Sequence, residues 1–417
     1  MYDTEQIDAL LQKNNNNKSG FWKGLGVGVV ITSSLMIVGI IAVVLIIDLF
    51  AMDADEVLAN SDVITEEAIE KIGMITDTID HYYIEDIDDA VLQEGIYSGI
   101  LDSLGDPYSV YYTEEEVQDL MQSTDGTYYG IGAYIGMGTD TNLPTIARPI
   151  AGTPAEESGL LAGDVILEVD GIDIAGYSLE EVIDLVKGDE GTTVVLTIYR
   201  EGTMDLLEIP IVRRQIETDT VAYEMMEDQI AYISIYEFDH VTVNQFSEAL
   251  ELAKVEGMEG LIFDLRGNPG GNVDTVVDIL RMILPEGIIV YTEDKYGERV
   301  EYTGSGEDPL TIPIVVLVDS SSASAAEIMA SALRDYNMAT LIGTTTYGKG
   351  IVQNIIMLSD GTALKITSST YYTLSGTNIH GVGLEPDVEV PFDASSYIDE
   401  GIDNQLDAAV EYLQSQL

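Results

Sequence analysis

From Leu25 to Ile47 the chain reads LGVGVVITSSLMIVGIIAVVLII without a single charged residue. About 20 apolar residues are what one helix needs to cross a bilayer core. A cleavable leader has an apolar stretch of only ~7–15 residues followed by a small-x-small site, and the following LFAMDADEV offers none. The expectation is an uncleaved anchor over residues 24–48, with Trp22 at its boundary. Lys13, Lys18 and Lys23 precede the run, and Asp48, Asp53, Asp55 and Glu56 follow it. The preference of Lys and Arg for cytoplasmic flanks then places residues 1–23 inside as a short cytosolic tail and the bulk of the protein outside, as a single-pass cell-membrane protein.

The 417 residues exceed one ordinary domain, and 46% hydrophobic residues suffice for real cores. Acidic residues number 74 against 17 basic, a formal charge of −57. Neutralising a polyanion needs clustered Lys and Arg, so no nucleic-acid partner is expected. The absence of Cys excludes a disulfide scaffold, thiolate catalysis and Cys-based metal sites. The three histidines, His81, His240 and His380, stand far apart and outside any HExxH spacing. Neither a metal centre nor another cofactor is expected.

Residues 49–117 read as a helical segment. Ala90, Leu92, Ile96, Ile100 and Leu104 recur at helical spacing, until the turn Gly105-Asp106-Pro107 interrupts them. From about Gly126 short β-rich runs take over, at Tyr128–Ile135, Ile146–Ile150, Val165–Val169 and Thr193–Tyr199. They predict a small, mostly β domain over residues 118–213. Beyond Arg214 strands alternate with helices: strands at Gly260–Asp264, Ile312–Val318, Ala339–Gly343 and Ile355–Leu358, helices at Val273–Leu284 and Ala325–Tyr336. That pattern predicts an α/β domain over residues 214–395, with a C-terminal helix over residues 396–417.

Three short segments carry chemistry. Asp264-Leu265-Arg266-Gly267-Asn268-Pro269-Gly270-Gly271 is a strand-to-helix turn whose glycines can present backbone N–H groups to an anion. A phosphate-binding loop would continue with Lys-Ser/Thr, which is missing here; a plain tight turn is the simpler alternative. In Asp319-Ser320-Ser321-Ser322-Ala323-Ser324-Ala325-Ala326-Glu327 a buried-type strand breaks into small residues before a helix, the geometry that exposes nucleophilic serines. Close helix packing explains small residues equally well. Tyr347-Gly348-Lys349-Gly350-Ile351-Val352-Gln353 sets a lysine between glycines. A serine hydroxyl needs a base to take its proton, and a desolvated lysine of lowered pKa serves.

Ile150-Ala151-Gly152-Thr153-Pro154-Ala155, Gly159-Leu160, Gly163-Asp164-Val165-Ile166 and Val169-Asp170-Gly171 follow one another in an order that resembles a PDZ domain of the protease-associated kind. Such domains add the C-terminus of a polypeptide to a sheet edge and capture its carboxylate on backbone N–H groups. The resemblance implies that Gly130, Ile131, Gly132 and Ala133 form the carboxylate loop. It also places Lys187 where similar domains often carry a basic residue linked to activation.

Together, DLRGNPGG, SASAAE and GKGIVQ resemble the C-terminal processing peptidases, a Ser/Lys family that includes the tail-specific proteases, over about residues 57–395. The resemblance implies an α/β serine-protease core of the crotonase-like ββα type with an inserted PDZ domain. It makes Ser324 the nucleophile, Lys349 its general base and Gln353 the residue that positions the lysine. The oxyanion would be held by the amide of Gly270 or Gly271 and the amide of Ala325. On a straight strand residues four apart lie ~13 Å from one another, so Lys349 and Gln353 meet only if the backbone curls there. Expected partners are protein or peptide substrates with free C-termini. A homodimer through helical ends, at Val57–Leu120 or Leu406–Leu413, is a further expectation of the resemblance.

Two rival functions differ in class. A catalytically silent PDZ scaffold would bind exported tails at the membrane without turnover. A Ser-His-Asp hydrolase would use His240, although no G-x-S-x-G motif is present.

Overall fold

Every residue of the strands Gly260–Asp264 and Ile314–Val318 is buried, as expected for strands of a parallel sheet covered on both faces. The computed structural model describes residues 61–138 and 141–417, and in it these strands pair parallel to each other within a six-stranded sheet. The order is Val221–Met225, Ile230–Ile235, Gly260–Asp264, Ile314–Val318, Ala339–Gly343 and Val388–Glu389. Only the first runs antiparallel to its neighbour.

Side chains alternate between the sheet's two faces. Leu261, Phe263, Val316 and Val318 enter a large core shared with the helices Thr242–Glu256, Val273–Arg281 and Ala325–Asp335. Ile262, Val315 and Leu317 enter a smaller core under the helix Asn404–Gln414, whose Ala409 and Leu413 are fully buried there. Burying one such aliphatic group contributes about 1.5–3 kcal/mol relative to exposure. Of the helical ends expected to mediate a homodimer, Leu406–Leu413 turns Ala409 and Leu413 into this core. The apolar face of the helix closes the sheet of its own protomer.

A second, five-stranded antiparallel sheet is organised around the long strand Ala363–Thr373, which pairs with Val110–Tyr112, Gly287–Asp294 and Ile351–Met357. A third sheet, also antiparallel, runs Ala133–Met137, Pro144–Pro149, Val165–Val169, Thr193–Tyr199 and Leu207–Val212, with Ile172–Asp173 paired beside Val165–Val169. It has its own core, including Ile146, Leu160, Ile166, Leu196 and Ile198.

Several expected boundaries shift for local reasons. The run Tyr128–Ile135 is two strands, because Gly132 turns the backbone at φ 76°. Thr127–Gly130 pairs with Arg214–Glu217, and Ala133–Met137 pairs with Pro144–Pro149. Residue 118 falls inside the helix Glu114–Asp125, which starts at a capping box made by Thr113 and Glu116. The expected C-terminal helix is two helices, Ala394–Glu400 and Asn404–Gln414, the first ended by Gly401 at φ 71°. The segment before the first of these sheets holds the helices Glu66–Tyr82 and Asp89–Asp102. In the second, Leu101 is the buried residue, so Leu92, Ile96 and Ile100 do not form a buried stripe. Among the described residues no helix is long and apolar enough to cross a membrane; the anchor expected over residues 24–48 lies outside the described residues.

Candidate active site

Ligand crevices of α/β sheets open at the carboxyl ends of the parallel strands, and the candidate residues gather there. After Ile314–Val318 the backbone turns through Asp319, whose Oδ1 accepts from the amides of Ser321 (2.9 Å), Ser322 (3.0 Å) and Gly267 (3.1 Å). One carboxylate thus ties the serine-rich turn to the glycine-rich turn. Ser322 Oγ, fully buried, donates to Leu265 O at 2.8 Å.

Ser324 follows with φ 53° and ψ −114°. A non-glycine residue there costs on the order of 1–3 kcal/mol and persists only where its surroundings hold it. Both of its backbone groups are held. Its N–H donates to Glu327 Oε2 at 2.9 Å, and its carbonyl accepts from Tyr371 Oη at 3.1 Å and from Ile328 N at 3.0 Å. Ser324 is 9% exposed and heads a helix that is buried almost throughout.

Glu327 has no chemistry of its own that marks it in the sequence, yet it organises the site. It is fully buried. Its Oε1 accepts from Thr346 Oγ1 and from Gly348 N at 2.8 Å; its Oε2 accepts from Lys349 N at 2.9 Å as well as from Ser324 N. The signal that could have found it is its place three residues after Ser324, the capping-box spacing at a helix start.

Lys349 is half-buried and lies just ahead of the strand Ile351–Met357. Burial, reinforced by the charge of Lys365 and opposed by Asp106, lowers its pKa below the ordinary lysine value. Its Nζ sits 4.7 Å from the centre of the Tyr108 ring. Among the described residues nothing hydrogen-bonds or ion-pairs with this Nζ, and no hydrogen bond joins it to Ser324 Oγ. Tyr108 belongs to the Gly105-Asp106-Pro107 turn, which the sequence marks only as a break between helices. Ser109 Oγ there donates to Asp106 Oδ2 at 2.6 Å and accepts from Thr367 N at 3.1 Å.

Gln353 is not in contact with Lys349 through a hydrogen bond. Its Nε2 donates to Thr367 Oγ1 at 3.3 Å, on the strand alongside. A register shift between Val352 and Gln353 interrupts the ladder locally.

The glycine turn separates its two candidates. Gly270 N already donates to Oδ1 of the fully buried Asn268 at 2.8 Å, and a Cβ at Gly270 would run into Ser324 Cβ at 2.7 Å. Asn268 is fixed in turn by Nδ2 donating to Ile235 O at 2.8 Å. Among the described residues the amides of Gly271 and Ala325 have no hydrogen-bond acceptor. His240 stands apart: Nδ1 pairs with Asp125 Oδ1 at 2.8 Å and Nε2 with Asn272 Nδ2 at 2.9 Å. Both ring nitrogens are engaged away from Ser324.

Gly130, Ile131, Gly132, Ala133 and Lys187 all line one cavity of about 1020 Å³ between the strand Ala133–Met137 and the helix Leu179–Val186. Its far wall comes from the helix Glu114–Asp125 and from Glu237 and Asp239.

Residues 229–390 match peptidase family S41, residues 145–200 match the PDZ domain, and residues 43–116 match the activating protease CtpB N-terminal domain. A carboxy-terminal-processing protease of Bartonella bacilliformis is 37% identical over 343 residues, covering 81% of this chain and 78% of that protein. The protein belongs to the carboxy-terminal processing proteases of family S41. The carboxy-terminal processing protease CtpB of Bacillus subtilis is 32% identical over 370 residues, 87% of this chain and 77% of that one. A Bacteroides fragilis protein described as an S41 protease shares the fold at a TM-score of 0.50, with 18% identity over 82% of this chain and 97% of its own. This carboxy-terminal processing protease is therefore a serine-type peptidase with a PDZ domain. Its S41 match contains Ser324, Glu327 and Lys349, and the N-terminal match contains Tyr108.

Proposed function

We propose that the protein cleaves polypeptides at or near their C-termini through a Ser324/Lys349 dyad. The observation that carries this reading is the single oxygen, Glu327 Oε2, that accepts from the amides of both residues. It fixes the backbones of nucleophile and base relative to each other. A lysine works as a base only when neutral, and burial beside Lys365 favours the neutral form of Lys349.

In this reading Ser324 Oγ attacks the scissile carbonyl carbon and its proton passes to Lys349 Nζ. The tetrahedral oxyanion accepts from the amides of Ala325 and Gly271, whose donors are uncommitted, whereas that of Gly270 is held by Asn268. Collapse expels the amine, which takes the proton from Lys349 and leaves an acyl-enzyme at Ser324. Water then attacks the ester and gives a proton to Lys349, and Ser324 recovers its hydrogen on release of the acid. Gln353 acts on this centre at one remove, through Thr367. The PDZ groove holds the substrate tail, with Gly130–Ala133 at the carboxylate. Residues 24–48 tether the enzyme to the cell membrane with its catalytic part on the extracytoplasmic side, where exported proteins present their ends.

The test is cleavage of a peptide with an apolar free C-terminus, compared with its amidated form, by the wild type, Ser324→Ala and Lys349→Ala. Turnover of the free-ended peptide by wild type alone supports the reading. Retained turnover by Ser324→Ala defeats it.

A further inference from the structure

The charges around the tail groove are nearly all of one sign. Among the described residues six carboxylates, those of Glu115, Asp119, Asp184, Asp189, Glu237 and Asp239, line the cavity, against Lys187 as the single cation there. A protein as acidic as this one has carboxylates everywhere, and five of the six are ordinary in that respect. Asp239 differs. It is 6% exposed and lines the cavity, and among the described residues no group donates to its side chain. Its own N–H donates to Thr242 Oγ1 at 2.9 Å, which fixes the backbone. Its side chain packs closely on Gly126, which also lines the cavity: a Cβ there would meet Asp239 Cβ at 2.8 Å and Oδ2 at 3.2 Å.

A buried carboxyl without a partner is expensive to keep ionised, and a complementary cation relieves that cost. Burial first, then the neighbouring charge of Glu237, pushes the Asp239 carboxyl up to about 7. The group is thus held in a state that a ligand-borne positive charge improves.

We propose that Asp239, with Glu237 beside it, is a specificity element that selects substrate tails carrying a Lys or Arg side chain, and that the groove disfavours acidic tails. This rests on the reading of the cavity as the tail-binding groove. The apolar residues Ile131, Ile135, Ile183 and Val186 in the same lining take the uncharged part of the tail, so the preferred ligand is an apolar C-terminus with a basic residue near it.

The experiment is fluorescence anisotropy with the full-length protein bearing Ser324→Ala, so that no peptide is consumed. Three labelled peptides share one apolar free C-terminus and differ by Lys, Gln or Glu at each of the last few upstream positions in turn. At one position at least, the Lys peptide should bind about tenfold tighter than the Gln peptide, the scale of a hydrogen bond to a charged group, with the Glu peptide weakest. Asp239→Asn should bring the Lys and Gln peptides within about threefold of each other, through the Lys peptide alone. Glu237→Gln, an exposed change that leaves the buried site packed, should reduce the gap in part. Equal binding of the three peptides at every position overturns the proposal while the tail-binding reading stands, as does a Lys preference that survives both substitutions. If the Gln peptide also fails to bind, the tail-binding reading fails and the proposal falls with it.

Discussion

The backbone amides of Ser324 and Lys349 donate to the same oxygen, Glu327 Oε2, each at 2.9 Å. The two turns that bear them follow different strands, Ile314–Val318 and Ala339–Gly343, and the carboxylate that joins them comes from the first turn of the helix that Ser324 caps. The site therefore depends on a buried side chain that performs no chemistry.

Glu327→Gln keeps one acceptor oxygen but sets an NH2 against amides that are themselves donors. Leaving buried donors unpaired costs about 1–3 kcal/mol each. The expected result is a fall in kcat of at least about tenfold, the rate equivalent of ~1.4 kcal/mol, with KM little changed. Steady-state kinetics on a cleavable peptide check this. Loss of affinity without loss of kcat would show that Glu327 serves substrate binding and not the alignment of the dyad.

The pH dependence follows from Lys349. Its pKa lies below the ordinary 10.5, so the active neutral amine grows in as pH rises through the lowered value. Lys365→Met removes a positive neighbour and should move the rising limb of kcat/KM to higher pH; Asp106→Asn removes a negative one and should move it lower. For stability, the native state binds fewer protons than the unfolded state between the lowered pKa and 10.5, so this group makes stability increase with pH across that window. Rate profiles of the two variants are the check.

Asn268 is buried and bridges Ile235 O to Gly270 N. Asn268→Ala leaves both without a partner and loosens the turn that presents Gly271. A loss of up to about 10²–10³ in kcat is expected, the range for removal of one oxyanion donor, with a lower Tm. A variant destabilised but fully active would show that the turn has only a structural role.

The strands Val165–Val169, Thr193–Tyr199, Gly260–Asp264 and Ala339–Gly343 stand in the structure at the limits their sequences suggest, because β-branched runs bounded by turn residues leave little choice. The break at Gly132 is less legible: alternation is the same on both sides, and only the partner strands differ. Within the site, Ser324 and Lys349 stand out because small residues and glycines frame them. Glu327 and Tyr108 do not. Their roles depend on tertiary approach, across 22 residues from Glu327 to Lys349 and between distant elements for Tyr108. Resemblance puts Gln353 beside Lys349, and its hydrogen bond instead goes across the ladder to Thr367.

Asp239 gives an independent pH signature. Its carboxyl is pushed up to about 7, so between the unfolded value near ~3.9 and about 7 the native state holds the extra proton. Stability from this group is full below that window and is lost as pH rises through it. Burial and the charge of Glu237 produce the effect, and His240 beside it opposes them. Asp239→Asn should therefore raise Tm above pH 8 relative to wild type and change it least near pH 4. Thermal melts across pH decide this; a Tm difference that does not vary with pH would show that Asp239 is not perturbed.

The most direct test of the dyad is the site of covalent capture. A fluorophosphonate reacted with the full-length protein and mapped by peptide mass spectrometry should leave its adduct on Ser324, at a rate that rises with pH in wild type and collapses in Lys349→Ala. An adduct on another residue, or undiminished labelling of Ser324 in Lys349→Ala, would contradict the assignment of Ser324 as nucleophile and Lys349 as base.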